Sequence, residues 1–170
     1  MAHGRVVLVT GVMAAGKSTV AQLLAERFER SAHLRGDRYR QMIVRGSAPA
    51  NTDAFQAELH LRYTLAAKSA DGYAEAGYTV VWQDCVIGPM LGEIETMVST
   101  RPLDIIVLAP RPEIVEWRDL HRHKRGYDGD WTVAQLDGIL RDETPPVGHW
   151  IDNSDQTPEA TVEAILMLIK

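Results

Sequence analysis

The sequence predicts an α/β fold, a three-layer sandwich with helices on both faces of a five-stranded parallel sheet. Three observations lead there. Short β-branched apolar runs alternate with segments of helical periodicity, and such alternation builds right-handed crossovers around a parallel sheet. A glycine-and-lysine turn sits where the first run gives way to the first helix. At 170 residues, with 45% apolar and 24% charged side chains, the chain has the size of one domain and can bury a core without disulfides. Residues 1–170 are therefore read as a single domain.

Each element follows from its residues. "RVVLVT" (5–10) is apolar on both faces, as a central parallel strand requires. From Ser18 onward Val20, Leu23, Leu24 and Phe28 share a helical face. "AHL" (32–34) gives a short second strand that ends near Asp37, and 38–45 a short helix. A loop, "RGSAPANT", leads to Thr52 or Asp53 as the cap of a long helix reaching about Ala76. "GYTVVWQD" is the third strand, followed by a helix over "GPMLGEIETMVST" with Pro89 in its first turn. "LDIIVLA" is the fourth strand; Pro112 and Glu113 then open a helix that runs to Gly126. Residues 132–143 form another helix and "HWID" the last strand. Thr157 and Pro158 start the closing helix, with Val162, Ile165, Leu166 and Ile169 on one face. In such sheets ligands collect at the carboxyl ends of the strands, where the glycine-and-lysine turn, Asp37 and Asp84 all fall.

The turn itself, "GVMAAGKST", satisfies G-x-x-x-x-G-K-[ST] through Gly11, Gly16, Lys17 and Ser18. Gly11, Ala14, Ala15 and Gly16 are small enough for a tight turn whose N–H groups cradle phosphate at a helix start. Lys17 is positioned to neutralise β and γ phosphates, Ser18 to ligate Mg²⁺, and Thr19 to lie near the α phosphate. The bland alternative is a strand-to-helix turn with a surface lysine, but the motif has the required strand before it and helix after it. The guanine-reading N-K-x-D and any transporter-ATPase signature are missing from the sequence. A small ATP-using kinase is the favoured class.

On these residues the chain resembles the chloramphenicol phosphotransferase-like P-loop kinases, within the nucleoside-monophosphate-kinase-like fold. "GVMAAGKST", "LRGDRYR", "VVWQDCV", "EWRDLHRHKRGYDGDW" and "IDNSDQTPEATVEAIL" occur in that family's order. The later half also looks like tunicamycin-resistance-type ATP-binding proteins. The resemblance implies ATP and Mg²⁺ as reactants, with the γ-phosphoryl group passing to a hydroxyl of a small molecule: an antibiotic, a nucleoside or a sugar. It implies that Asp37 orients or deprotonates the acceptor, and that a lid contributes arginines. Alternatives are a nucleotide or nucleic-acid-end kinase, and a non-catalytic ATP-binding resistance protein. The adenylate-kinase segment D-G-[FY]-P-R is missing.

Asp37 is thus a catalytic and substrate-contacting candidate, while "GDRYRQMI" equally suits it as a helix cap. Asp84, at a strand mouth, is read as a magnesium-ordering acid or a substrate contact. Arg118, Arg122 and Arg125 recur at i, i+4 and i+7, one face of the expected helix, in a lid over 118–135; the alternative is a solvated face paired with Glu116 and Asp119. Region 38–76, with Arg40, Phe55, Arg62 and Tyr63, is expected to cover the acceptor, and a small polar or amphipathic alcohol suits it. Asn153 to Thr157 is the candidate adenine contact, or simply a helix cap. Asp104 falls at the opposite sheet end and is read as structural, and Cys85 as a wall residue. His121 and His123 have no third ligand at zinc spacing. A net charge of −5 argues against general nucleic-acid binding, and the apolar run at the start is too short for a membrane span. One cysteine fits a reducing compartment, so a cytoplasmic location is expected.

Overall fold

The computed structural model describes residues 4–123, 126–127 and 129–169. Five parallel strands, β1 (Val6–Gly11), β2 (Ser31–Arg35), β3 (Thr79–Gln83), β4 (Leu103–Leu108) and β5 (His149–Ile151), lie in the order β2-β3-β1-β4-β5. Val6 pairs with Val80 on one side and Leu103 on the other. Val6, Val7, Leu8 and Val9 are wholly buried, as a strand covered on both faces must be. At the far end of the sheet, away from the ligand-binding mouths, Arg5 donates to Asp104 at 2.7 Å, so Asp104 has the structural role expected of it.

Around the sheet stand α1 (Lys17–Ala25), α2 (Asp37–Gln41), α3 (Asp53–Glu75), α4 (Ile94–Met97), α5 (Pro112–Leu120), α6 (Val133–Gly138) and α7 (Pro158–Leu168). α1 packs against α7, and α3 against α4. Hydroxyl caps set three starts: Thr52 accepts from Phe55 N, Thr132 from Gln135 N and Thr157 from Ala160 N. Each cap satisfies a backbone N–H that the first helical turn leaves without a partner.

Three helices depart from their sequence-based bounds. α2 stops at Gln41 rather than 45, because the following loop is drawn to Glu58 of α3, which accepts from Ala48 N at 2.7 Å and Ser47 Oγ at 2.9 Å. The stretch 88–100 is not one α-helix but a 3₁₀ segment, Gly88–Glu93, followed by the single turn of α4. The tighter winding aligns residues three apart, and Leu91 and Ile94 are both fully buried. α5 ends at Leu120, six residues before Gly126. Its buried Asp119 turns the chain back, accepting from Gly126 N at 2.6 Å. The expected arginine face is therefore not helical beyond Arg118, and Arg125 lies outside the described residues. α6 continues as a π-helical turn over Ile139–Glu143, so the expected 132–143 span is helical nearly throughout.

Candidate active site

β1 delivers the chain to a turn that only small residues could make. Gly11 has φ 144°, and a Cβ there would lie 2.4 Å from the Leu108 carbonyl oxygen of β4. Ala14 is held at φ 61°, a left-handed conformation that costs a non-glycine residue energy and recurs at ligand sites. Ala15 is buried, and its carbonyl oxygen accepts from Asn153 Nδ2 at 3.0 Å and Arg118 Nη1 at 3.2 Å. Arg118 Nη2 also donates to the Asn153 carbonyl at 2.8 Å. Arg118 and the β5–α7 connection thereby brace the phosphate turn from behind.

Lys17 Nζ donates to the Val12 carbonyl at 2.6 Å, folding the side chain over its own turn. Burial pulls its ammonium below the ordinary value, against Cys85 and Asp84, while Arg62 and Arg122 add to the depression. A cation so destabilised gains much from an anion placed beside it. Ser18 and Thr19 are exposed at the same mouth, and Ser18 Oγ donates to Gln83 Oε1 at 3.0 Å. Gln83 is a site residue that the sequence did not single out; its signal was a polar side chain at the end of an apolar strand.

Strand alternation sends Gln83 and Asp84 to opposite faces. Gln83 meets α1, whereas Asp84 meets Arg62 of α3, whose Nη2 contacts Oδ1 and whose Nε donates to Oδ2 at 3.3 Å. Cys85 N donates to Asp84 Oδ1 at 2.7 Å. Burial raises the Asp84 carboxyl, and the Arg62 charge and hydrogen bond oppose it. Asp84 Oδ2 lies where a Cβ on Gly36 would come within 1.7 Å. Only glycine at 36 admits this carboxylate beneath the β2–α2 turn.

That turn carries Asp37. Its Oδ2 accepts from Gln41 Nε2 at 3.3 Å, and Oδ1, without a hydrogen-bond partner, lies 4.0 Å from Arg35 Nε. Asp37 is the first residue of α2 and Gly36 its cap position, with no side-chain cap bond, so Asp37 is not the helix cap the sequence also suited it to be. Arg40 is paired with Glu58 at 3.1 Å and lies 5.2 Å over the Phe55 ring. From the other side, Arg122 Nε lies 3.5 Å from Asp119 Oδ1, and Tyr127 Oη donates to the Met13 carbonyl at 3.0 Å. Asp119 thus pairs with Arg122 as the alternative reading of the arginine face expected, though buried rather than solvated, and Tyr127 was not singled out by the sequence.

Lys17, Ser18, Asp37, Arg40, Asp84, Arg118 and Arg122 all line one cleft of about 1110 Å³. Beyond this polar end it continues between Phe55, Leu59, Ile87, Met90, Trp131 and Ile139. Cys85 is in its wall, as expected. Among the described residues no cluster of His, Cys, Asp and Glu could hold a metal ion unaided, and no helix is long and apolar enough to cross a membrane.

A phosphate-binding turn between β1 and α1 of a β2-β3-β1-β4-β5 sheet defines the class: a P-loop nucleotide-binding α/β protein with the fold of small kinases. A family model described as AAA domain (AAA_33) matches residues 6–146, and the chain belongs to that family. By sequence, no curated protein matches it. Among solved structures it is similar to a sugar kinase from Janibacter sp. HTCC2649, with 21% identity, 98% of this chain and 94% of that one covered, and a TM-score of 0.73. It is similar to the Mycobacterium tuberculosis APS kinase solved with AMPPNP and APS, at 17% identity, 99% coverage of both chains and a TM-score of 0.72. The Deinococcus radiodurans tunicamycin resistance protein aligns at 16% identity over 96% of this chain and 94% of its own, with a TM-score of 0.66.

Proposed function

We propose that the protein is an ATP-dependent, cytoplasmic phosphotransferase that moves the γ-phosphoryl group to a hydroxyl of a small molecule, of the chloramphenicol phosphotransferase-like kind. The observation that supports this is Asp37 Oδ1, which has no hydrogen-bond partner and only Arg35 Nε at 4.0 Å, in the same cleft as Lys17 and Ser18. An acceptor O–H donated to Asp37 loses its proton there as its oxygen bonds to the γ phosphorus. The bond from that phosphorus to the β,γ-bridging oxygen breaks, and ADP departs with the electron pair. Lys17 neutralises the phosphates, Arg122 adds charge from the lid, residues 118–135, and Arg118 adds charge from its seat on the Ala15 and Asn153 carbonyls.

Mg²⁺ fits this donor set as an ion held chiefly by phosphate oxygens and water, with Ser18 Oγ as the protein hydroxyl and Gln83 behind it. When bound, it supplies charge neutralisation between the phosphates. The apolar end of the cleft, under the 38–76 cover, suits an alcohol on an amphipathic body, an antibiotic among the acceptors to try first, and disfavours nucleic-acid ends. The test is incubation with γ-labelled ATP and a panel of hydroxylated antibiotics, nucleosides, sugars and oligonucleotides, read by mass spectrometry. One added phosphoryl group on a small alcohol, lost with Asp37→Asn, is expected. Tight ATP and drug binding with no product and no ADP would point to a non-catalytic binder instead, and phosphorylated nucleotides or oligonucleotides to a nucleotide kinase.

A further inference from the structure

The Arg62–Asp84 pair is costly to build and is not explained by packing alone. The Asp84 side chain is wholly buried and that of Arg62 only 14% exposed. Burying both charges yields little net stability, and an apolar pair of similar volume often does as well. The pair is also held from three directions. Gly36 leaves room for Oδ2 beneath the Asp37 turn. Cys85 N donates to Oδ1. One residue along each element, Tyr63 Oη donates to the Cys85 carbonyl at 2.7 Å. Adjacent residues of α3 are thus fastened to adjacent residues at the mouth of β3.

The contact is side-on. Arg62 spends its Nε and one edge of Nη2 on Asp84, leaving the remaining guanidinium N–H groups on the opposite edge. Both residues line the cleft together with Lys17 and Asp37. Asp84, with both oxygens committed to Arg62 and Oδ1 also to Cys85 N, and with Gly36 packed close against Oδ2, has little left for a cation. Arg62 is also among the charges that act on the Lys17 ammonium.

Building on the phosphotransferase reading above, we propose that Arg62 is a catalytic residue, donating hydrogen bonds to the transferring phosphoryl group from the acceptor side, and that Asp84 is its positioning residue rather than a metal ligand. Arg62 transfers no proton. It lines the same cleft as Arg118 and Arg122, and its planar fork suits the equatorial oxygens of a phosphoryl group in flight.

The experiment is titration calorimetry of the full chain with Mg²⁺ and ADP, with and without aluminium fluoride, which mimics that group. Wild type is expected to bind ADP more tightly when aluminium fluoride is present. Arg62→Lys is expected to lose that gain by about 10-fold or more, with ADP affinity alone unchanged. Asp84→Asn is expected to lose it similarly without changing the Mg²⁺ concentration needed for nucleotide binding. If a buried charge change unfolds the chain, as circular dichroism would reveal, the neutral double variant Arg62→Gln with Asp84→Asn replaces it. A folded variant lacking the Arg62 fork that keeps the full gain overturns the proposal, as does a 10-fold shift in Mg²⁺ requirement with Asp84→Asn. Wild type that fails to bind ADP at all would instead overturn the phosphotransferase reading.

Discussion

On the proposed reading, the donor end of the cleft is made from one continuous stretch, β1, the phosphate turn and α1, whereas the acceptor end is gathered from α2, α3, the mouth of β3, the 3₁₀ segment and residues of the 118–135 region. The donor end is anchored by a strand buried on both faces, and its geometry is backbone geometry. The acceptor end is anchored by side chains: Glu58 on the 46–52 loop, Arg62 on Asp84, Tyr63 on Cys85, Asp119 on Gly126. A phosphate turn shaped by its main chain, with Arg118 and Asn153 bracing the Ala15 carbonyl, contains little that would select an acceptor. A wall held by side chains can be re-cut for a new acceptor without disturbing the sheet. Neighbours at 16–21% identity share the fold across nearly the whole chain.

Substitutions at the two ends test this contrast. The largest effect is expected at the donor end: Lys17→Met should lower turnover by about 10³-fold through lost charge stabilisation, with an unchanged melting temperature, measured by ADP release and thermal denaturation. At the boundary, Asp37→Asn should lower kcat by about 10²-fold or more while leaving ATP affinity near wild type. Equal losses in kcat and in ATP binding would place Asp37 on the donor side instead. On the acceptor wall, Trp131→Ala should raise the acceptor KM by about 10-fold, as removal of apolar contact area predicts, and leave the ATP KM alone; steady-state kinetics with both substrates varied decide it.

The smallest effect is a pH dependence confined to the acceptor end. The Ala48 N–H, ahead of Ser47 and Arg40, holds the Glu58 carboxyl below its ordinary range despite the opposing pull of burial. Because folding lowers this value, the contribution is complete above the unfolded value of about 4.3 and falls away as pH drops through the lower folded one. Amide exchange in residues 44–52 should therefore quicken below about pH 4 before that of β1. Glu58→Gln should make the loop exchange fast at all pH values, whereas a loop and strand that loosen together would remove the contrast.

Much of the donor end was legible in the sequence. "RVVLVT" and "GVMAAGKST" carry their instruction in consecutive residues, and both form where the pattern places them. Thr52 as the cap of a long helix and Thr157 as that of the closing one were readable for the same reason. The end of α5 was not. Nothing between Leu120 and Gly126 breaks a helix, and the stop comes from Asp119 turning inward, which periodicity cannot express. Likewise Arg62 stood in the sequence as one of several polar residues on a long helix.

By itself, then, the sequence determined the strand and helix order, the parallel sheet and the phosphate turn, because hydrophobic period, capping and glycine geometry act over a few neighbouring residues. Only the tertiary structure decided that Asp84 belongs to Arg62, 22 residues away, that Gln83 and not Asp84 reaches Ser18, and that Gly36 makes room for the Asp84 carboxylate. The physical reason is that a strand's alternation sorts side chains onto two faces, but which partner waits on each face is set by how distant helices pack against the sheet.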